Sequence, residues 1–363
     1  MTRLAALLAA MALVAAACGS DDDSSDASGS ASDSASASAS ASASDSASAS
    51  GSASASEPAE EESEESSGGG EEVTVADVLG DVTVPVTSEG VFALDEFAGI
   101  ALLSLGVEPV GVSFFFQDPT LGPVIEAAGV ELAGGESLEA IAAAQPSLIL
   151  GIGHPNHLEV REQHLELAPT VTPDFTRSWA DQTAVFAAAT GTEDRAEVVL
   201  STVEDRVAEL AARIDEAGLA GEQIAVIQNF GPEYYAYGPT TIAGQVVADL
   251  GFTRSEIQSG EGDFGFILVS EEQLGAETDA AVVISISGAD AGGTTVFDSA
   301  VVAPGDDAST GVVSEAWTAN TALAAWVILS DLESILFGDG STAAIDDVPG
   351  LWDELLAAIE ANA

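Results

Sequence analysis

Apolar and polar positions follow two periods along this chain, and together they predict an α/β fold. The segment EEVTVADVLGDVTVPV alternates in two short runs around Gly80 and Asp81, which predicts a β-hairpin. Beyond it, residues 91–94 and 109–112 form short apolar runs, with a helical pattern over 95–105 between them. Apolar strands that alternate with short helices are typical of a mostly parallel sheet covered on both faces.

One short helix-and-strand unit occurs twice in the chain. The segments SLEAIAAAQPSLIL and SEEQLGAETDAAVV begin with Ser137 and Ser270, and each places a glutamate two positions later, at Glu139 and Glu272. Serine is a good helix N-cap, and acidic side chains suit the first turn of a helix. Helix capping accounts for these residue types but not for the recurrence of the whole unit.

The middle of the chain predicts one unusually long helix. Residues 193–217 contain no Gly or Pro, and a helix of that length would extend about 37 Å. Its apolar positions recur at spacings of four and three residues: Val199, Val203, Val207, Leu210 and Ile214. We therefore predict an N-terminal lobe over 71–192 and a C-terminal lobe over 218–363, both α/β with mostly parallel sheets and joined by this single helix.

The N-terminal segment predicts export and a tether. Arg3 precedes an apolar run that is shorter than the ~20 residues needed to cross a bilayer, so residues 1–18 fit a secretory signal peptide. Small residues lead to Cys18, the only Cys, as in the lipobox of bacterial lipoproteins, although Ala15 stands where Leu is usual. An ordinary signal peptide cleaved nearby is the alternative. Residues 19–70 are rich in Ser, Ala and acidic side chains, and we expect a disordered tether of roughly 40 Å.

Charge and motif content exclude several function classes. The formal net charge is −54 at pH 7, and all seven basic residues are arginines. Such a field repels nucleic acids. The acidic residues are spread along the chain, as on the lysine-poor surfaces of proteins from salty habitats, where ions screen the self-repulsion. An enzyme is disfavoured too, because the chain has no Gly-x-Ser-x-Gly motif, no lysine for a phosphate loop, and in GIGHPN no third glycine for a dinucleotide fingerprint.

Five segments appear in the order and spacing of one known family. They are VFALDEFAGIALLSLGVEPVGV, ESLEAIAAAQPSLIL, YAYGPTTIAGQVVADLGF, VSEEQLGAETDAAVVI and EAWTANTALAAWVILSDLESIL. They resemble the ferric-siderophore and cobalamin substrate-binding lipoproteins of ABC importers, and the resemblance covers nearly all of 71–363. It implies a ligand cleft between two lobes, closure limited by the rigid connecting helix, and a monomer anchored through Cys18 on the extracytoplasmic face of the cell membrane. Its partners would be an ABC permease and, through it, an ATPase.

Candidate ligand contacts follow from this resemblance and from the rule that ligands of open α/β sheets bind beyond the carboxyl ends of the strands, where we expect loops. They are Phe115, His154, His157, Arg177, Trp179, Tyr235, Tyr237 and Trp317. An aromatic-rich cleft suits an organic chelate, because rings bury a large area while Tyr and Trp keep a polar handle. The alternative for the aromatic residues is packing in the core, and Arg177 could instead pair with Asp174 or Asp181.

The three histidines also raise the question of a metal site. His154, His157 and His164 fall within eleven residues, and three glutamates lie nearby. Such a group is compatible with direct metal ligation. However, the predicted C-terminal lobe has no His, whereas zinc- and manganese-importing binders of this kind take ligands from both lobes. We therefore expect no metal site here.

The charge of the chain also constrains its ligand. A tris-catecholate chelate is highly anionic and would need several cations in the cleft, and this chain has few. We therefore expect a ferric siderophore of hydroxamate type and no resident cofactor. Haem, cobalamin and direct metal-ion binding are the alternatives within the same fold, and a surface sensor is the alternative role.

The recurring glutamates acquire a role through the same resemblance. Glu139 and Glu272 match the paired glutamates, one per lobe, that dock on arginines of the permease. Glu271 is the less favoured partner in the second unit. Charged groups on both lobes would fix the orientation of the binder over the translocation path and speed its capture.

Overall fold

The structure is a computed structural model that describes residues 71–135, 137–230, 233–262, 264–287, 294–302 and 309–363. The predicted signal peptide 1–18, its Cys18 and the predicted tether 19–70 lie outside the described residues. Within the described ranges, no helix combines the length and the apolar character that crossing a bilayer requires.

A β-hairpin begins the N-terminal lobe, and the sequence predicted this hairpin. Strands β1 (Glu72–Val75) and β2 (Val82–Pro85) pair in antiparallel fashion. Between them, the buried carboxylate of Asp77 accepts hydrogen bonds from Nη2 of Arg161 at 2.8 Å and from the backbone N–H of Thr172 at 2.7 Å. This ion pair fastens the hairpin to the end of the neighbouring sheet.

The N-terminal lobe is built on a five-stranded sheet whose paired strands are all parallel. In the order β5-β4-β3-β6-β7, its strands are β3 (Val91–Ala93), β4 (Gly111–Phe114), β5 (Leu132–Gly134), β6 (Leu148–Leu150) and β7 (Thr170–Val171). Its helices are α1 (Glu96–Ser104), α2 (Leu121–Ala127), α3 (Leu138–Ala144), α4 (Pro155–Glu159), α5 (Arg161–Leu167) and α6 (Trp179–Thr190). Val91 and Ala93 join one hydrophobic cluster while Phe92 joins another, so both faces of the sheet are covered, as predicted.

Two segments of this lobe differ locally from the predicted elements. Strand β4 begins later than expected, because Pro109 has no N–H to donate and the pairing with Phe92 falls on Gly111. The segment after β6, expected as a loop, contains the short helix α4. It forms because the side chain of His154 caps it and Pro155 occupies its first position.

The C-terminal lobe contains a second five-stranded sheet, of mixed direction. In the order β10-β9-β8-β11-β12, its strands are β8 (Ile224–Phe230), β9 (Glu233–Tyr237), β10 (Phe266–Val269), β11 (Val282–Ile286) and β12 (Ser309–Val313). Its helices are α8 (Ile242–Asp249), α9 (Glu271–Glu277), α10 (Ala322–Phe337) and α11 (Val348–Asn362). Strands β8, β11 and β12 are parallel, whereas β9 is antiparallel to both of its neighbours. Tyr235 and Tyr237, expected on a loop, therefore lie on a strand, which suits the high strand propensity of tyrosine.

The long helix α7 (Glu193–Glu216) joins the two lobes, as predicted. It packs against α6 on one side of the connection and against α10 on the other. Two of its arginines lie over aromatic rings of α10: Arg206 is 4.1 Å from the ring centroid of Trp326, and Arg213 is 4.5 Å from that of Phe337. These cation–π contacts fix the face that α7 turns towards the C-terminal lobe.

Candidate ligand-binding site

Four segments that follow parallel strands of the N-terminal lobe build the candidate site. Glu96 follows β3, Phe115 follows β4, His154 follows β6 and Phe175 follows β7. Parallel strands end at the same edge of a sheet, and this edge is where ligands bind in open α/β folds. The structure therefore brings three of the sequence-predicted contacts, Phe115, His154 and His157, to one edge.

An aromatic cluster forms there, and its members are Phe97, Phe115, Phe116, His154, His157 and Phe175. The ring centroid of Phe115 lies 4.4 Å from that of His157 and 5.3 Å from that of His154. Phe116 stacks on Phe97 at 4.6 Å, with the two planes 15° apart. Except for the buried His157, these rings are half-buried, so the cluster presents ring surface to solvent.

The C-terminal lobe meets this cluster through Phe264. Its ring centroid is 5.0 Å from that of Phe175, which in turn lies 6.2 Å from that of His154. Phe264 is 40% exposed and has a φ of 56°, a left-handed conformation that costs a residue with a side chain about 1–2 kcal/mol. An exposed ring on a strained backbone between two lobes is typical of a functional position rather than of core packing.

A buried glutamate, Glu96, binds the backbone of the turn that carries two rings of the cluster. Oε2 of Glu96 accepts hydrogen bonds from the backbone N–H groups of Phe115 and Phe116, both at 3.0 Å, and Oε1 accepts one from Asp118 at 3.1 Å. Burial raises the pKa of Glu96 to about 7, although the N–H donors favour its ionised form. One carboxylate therefore holds the whole turn that carries the two phenylalanines.

Asp95 ties two further segments of the site together. Its side chain caps α1 by accepting from the N–H of Ala98 at 2.8 Å, and it also accepts from the N–H of Ile152 at 2.9 Å. Nδ1 of His157 donates to the carbonyl oxygen of Ile152 at 2.9 Å and lies 3.8 Å from Asp95 Oδ2. Burial raises the pKa of Asp95, and the charge of His157 opposes that shift. The buried His157 therefore helps to position the Ile152 carbonyl and the Asp95 carboxylate.

The other two histidines are held in neutral form. Burial, with a smaller contribution from His157, lowers the pKa of His154 to about 4. Burial likewise lowers the pKa of the wholly buried His164 to about 4. Among the described residues, no group of three or more His, Cys, Asp or Glu side chains is placed to hold a metal ion.

Arg177 lies where the two lobes touch. Its backbone carbonyl accepts hydrogen bonds from Nδ2 of Asn320, in the C-terminal lobe, at 2.9 Å and from Nε2 of Gln182 at 3.0 Å. Its side chain is exposed and makes no ion pair with Asp174, Asp181 or any other residue in the described part of the chain. This guanidinium is therefore available to an anionic group.

The remaining predicted contacts lie apart from the cluster. Tyr237 and Trp317 are buried in the C-terminal lobe: the Tyr237 hydroxyl donates to Gln228, and Trp317 Nε1 donates to Asp331 at 2.7 Å. Burial raises the pKa of Tyr237 further above its ordinary range, with a smaller contribution from Glu315. In this structure both rings are core residues.

Trp179 and Tyr235 occupy intermediate positions. Trp179, 8% exposed, is the first residue of α6 and packs into the main hydrophobic cluster. Tyr235 is half-buried, its hydroxyl donates to Glu233 at 3.1 Å, and its ring lies 5.5 Å from that of Phe230. Tyr235 thus belongs to a separate aromatic pair of the C-terminal lobe.

A shallow depression of about 460 Å³ adjoins the contact between the lobes. Its walls combine polar and apolar surface and come from both lobes: Thr176, Ser178, Pro239, Thr240, Gln245, Ala248 and Asp249. Because Thr176 and Ser178 flank Arg177, this depression continues the candidate site along the boundary between the lobes.

The two recurring glutamates occupy equivalent exposed positions. Glu139 is the second residue of α3, and Glu272 is the second residue of α9. Ser137 and Ser270 cap these helices by accepting hydrogen bonds from the N–H groups of Ala140 and Gln273. Both carboxylates are therefore displayed at helix starts, one on each lobe.

Sequence reasoning missed several residues of the site, among them Glu96, Phe175 and Phe264. Phe175 follows a strand end, which was an available signal, and Phe264 lies in GDFGF between glycines that permit a tight turn. Glu96 gave no signal, because an acidic residue in the first turn of a helix is already explained by the helix dipole.

Comparison with known proteins places the chain in a family. The model of the family described as "Periplasmic binding protein" matches residues 97–303, more than half of the chain. No curated protein sequence is similar enough to count as a match. This chain therefore belongs to the periplasmic binding protein family.

Solved structures share its fold at low sequence identity. The FhuD protein from S. pseudintermedius has a TM-score of 0.63 and 18% identity, covering 75% of this chain and 100% of that one. Staphylococcus aureus SirA has a TM-score of 0.58 and 22% identity, covering 68% and 98%. The catecholate-siderophore binding protein VctP from Vibrio cholerae has a TM-score of 0.56 and 18% identity, covering 80% and 100%.

Proposed function

We propose that this chain, as a member of the periplasmic binding protein family, captures a ferric siderophore outside the cytoplasm and delivers it to the permease of an ABC importer. The observation that carries the proposal is the half-buried aromatic cluster, with Phe264 of the other lobe against it. A surface of rings suits the apolar body of an organic chelate, because each ring buries a large area at small entropic cost. We assign the chain no catalytic role.

The charges around the cluster favour a chelate of low negative charge, which we propose to be of hydroxamate type. Among the described residues, Arg161, Arg195, Arg206 and Arg213 are engaged in ion pairs. Arg254 donates to the Tyr237 carbonyl through Nη1, whereas its Nε and Nη2 atoms are buried without a hydrogen-bond partner in the described part of the chain. In that part of the chain, Arg177 is the exposed arginine that forms no ion pair. One guanidinium serves a single anionic group but does not neutralise a tris-catecholate.

The solved relatives support a siderophore without agreeing on its chemical class. One structure of SirA is described as complexed with staphyloferrin B, and VctP is described as a catecholate-siderophore binding protein. PiuA from Streptococcus pneumoniae is described as an iron uptake ABC transporter substrate-binding protein. The choice of hydroxamate for this chain therefore rests on its own charges.

The anchoring and docking of the protein complete the proposal. Lipidation at Cys18 would hold the monomer at the extracytoplasmic face of the cell membrane, and the segment 19–70 would give it reach. Glu139 and Glu272 would contact basic residues of the permease. The permease would then pass the ligand inward, driven by its ATPase. Their exposed, equivalent places on two lobes support this role.

Ligand titrations test the proposal directly. Full-length protein, purified without its lipid, is titrated with ferrioxamine B, a ferric tris-catecholate, haemin, cobalamin and Zn²⁺, with intrinsic fluorescence and calorimetry as readouts. We expect saturable binding of ferrioxamine B, tighter than that of the catecholate. Arg177→Gln is compared with Arg195→Gln, whose side chain already pairs with Glu360. Tight binding of the catecholate alone would overturn the hydroxamate class, and saturable micromolar binding of haemin, cobalamin or Zn²⁺ alone would replace the siderophore.

A further inference from the structure

The turn after β4 is held by a single side chain. Three backbone N–H groups, those of Phe115, Phe116 and Asp118, point at the two carboxylate oxygens of Glu96. The Glu96 side chain is completely buried, so water does not compete for these hydrogen bonds. An ionised carboxylate accepts three such bonds, and charge-assisted bonds of this kind are about twice as strong as neutral ones.

The position of this turn determines the shape of the ligand surface. Phe97, next to Glu96, stacks on Phe116 at 4.6 Å, so consecutive residues of α1 hold the turn by its backbone and by a ring. Phe115 in turn contacts His157 at 4.4 Å. A displacement of the turn would therefore move two rings of the aromatic cluster at once.

We propose that Glu96 is a positioning residue for ligand binding: its ionised carboxylate holds residues 115–118 in the shape that presents Phe115 and Phe116 to the ligand, and uptake of one proton by that carboxylate lowers the affinity. A protonated carboxyl group brings its own O–H donor towards N–H donors, so at least one of the three bonds is lost. This inference deepens the proposed function, and the part of it that concerns ligand affinity rests on that function.

Several titratable groups surround Glu96, and burial raises the pKa of Asp95 and of Asp118 as well as that of Glu96, so the comparison with Glu96→Gln assigns the titration. Burial raises the pKa of Glu96 to about 7. The neighbouring Asp95 adds to that shift, and His157 faces Asp95 across 3.8 Å. The carboxylate of Asp118 is turned away, towards Thr120 and Leu121. Burial lowers the pKa of His154 to about 4, so this ring stays neutral between pH 6 and pH 8.

Ligand affinity and folding stability should respond to this proton in opposite directions. Because the folded-state pKa of Glu96 lies above its ordinary value of 4.5, the contribution of this group to stability is complete below pH 4.5 and is lost as the pH rises through 7. Acidification from pH 8 to pH 6 therefore stabilises the fold through Glu96 while it weakens ligand binding. A purely structural role would not give opposite signs.

Calorimetry with ferrioxamine B at pH 6, 7 and 8 tests the ligand-binding arm. We expect the affinity of the wild-type protein to fall up to about tenfold from pH 8 to pH 6. Glu96→Gln, which mimics the protonated state, should bind weakly at pH 8 and show a flat profile. Glu126→Gln, an exposed glutamate on α2, should behave as wild type. A wild-type profile that is flat, or a Glu96→Gln profile that retains the wild-type slope, would overturn the proposal.

A second measurement uses no ligand. Amide resonances of Phe115, Phe116 and Asp118 are followed by NMR between pH 5.5 and pH 8.5. We expect them to titrate together with a midpoint near pH 7 in the wild-type protein and in Glu126→Gln, but not in Glu96→Gln. Absence of this titration in the wild type would overturn the positioning role. If the titration is present but no chelate binds at any pH, the proposed function fails while the proton-sensitive turn stands.

Discussion

The two lobes use similar aromatic side chains in opposite ways. In the N-terminal lobe, Phe115 and His154 are half-buried and contact other rings of the cluster. In the C-terminal lobe, Tyr237 and Trp317 are almost completely buried, and their polar atoms are engaged by Gln228 and by an internal carboxylate. Aromatic content therefore does not reveal a ligand surface by itself. The rings of the N-terminal cluster differ from those of the C-terminal core because their neighbours leave part of the ring surface exposed to solvent.

Two buried carboxylates, Glu96 and Asp331, show the same contrast between a ligand surface and a core. Glu96 binds three N–H groups of a turn at the edge of the sheet and so preorganises a surface. Asp331 binds Nε1 of Trp317 at 2.7 Å and the N–H of Ala343 at 2.7 Å, so it closes a core. Burial raises the pKa of Asp331 to about 6, which shows that comparable desolvation costs support different tasks.

The largest expected effect is a loss of siderophore uptake when the exposed glutamates that the two lobes share are replaced. Glu139→Ala combined with Glu272→Ala should abolish uptake of ⁵⁵Fe-ferrioxamine B by cells, because docking on the permease would lose a charge on each lobe. The affinity of the purified protein for ferrioxamine B should stay unchanged, and Glu126→Ala is the matched control. Loss of ligand affinity in the double variant would contradict a docking role.

Replacement of a core ring should affect stability rather than binding. Trp317→Ala leaves a large cavity and removes the partner of Asp331, so we expect the free energy of unfolding to fall by about 3–5 kcal/mol in urea titrations. Phe264→Ala removes an exposed ring and should cost less than about 1 kcal/mol. Equal losses for the two variants would remove the distinction between core and surface aromatics.

Acid should destabilise the protein through His164, in the opposite sense to the effect of Glu96 between pH 8 and pH 6. His164 is wholly buried, and burial, with smaller contributions from His157 and Arg161, lowers its pKa to about 4. Because the unfolded chain takes up this proton near pH 6.5, the contribution of His164 is complete above that pH and is lost as the pH falls towards 4, by about 3 kcal/mol. His164→Leu should remove this part of the pH dependence of unfolding. An unchanged difference between pH 6.5 and pH 4 would refute the assignment.

Replacement of a cluster ring should affect binding more than stability. Phe115→Ala is expected to weaken ferrioxamine B binding about tenfold, which corresponds to about 1.4 kcal/mol. Leu165→Ala, a substitution at a half-exposed position on α5, is the control and should change neither property. If Phe115→Ala lowers only the free energy of unfolding, the cluster is a core feature after all.

The smallest expected effect concerns the surface of both lobes. With a formal net charge of −54, added NaCl should screen the self-repulsion and raise the melting temperature by several degrees. Differential scanning calorimetry between low salt and 1 M NaCl measures the shift. A melting temperature that does not depend on salt would show that the acidic surface is no adaptation to ions.

The fold was predictable because its signals are local and periodic. The spacing of Val199, Val203 and Leu210 predicted α7, and the apolar runs predicted the parallel sheet of the first lobe. The antiparallel strand β9 was missed because its tyrosines were read as loop residues, although their strand propensity is high.

The candidate site was predictable only in part, because much of it depends on contacts between distant segments. Phe115 and His154 follow strand ends, and the rule for open sheets found them. The contact of Phe264 with Phe175 joins two lobes, and no local pattern encodes it. The burial of Tyr237 and Trp317 depends in the same way on partners far along the chain.

The connecting helix α7 has a consequence for the rate at which ligand enters and leaves. It packs on helices of both lobes and carries two cation–π contacts, so a wide swing of one lobe would have to break these contacts together. Rotation of an exposed ring such as Phe264 takes nanoseconds, whereas collective domain motions take microseconds to milliseconds. We therefore expect ligand exchange to follow simple one-step kinetics, in which the lifetime of the complex is set by ring contacts and hydrogen bonds rather than by an opening event.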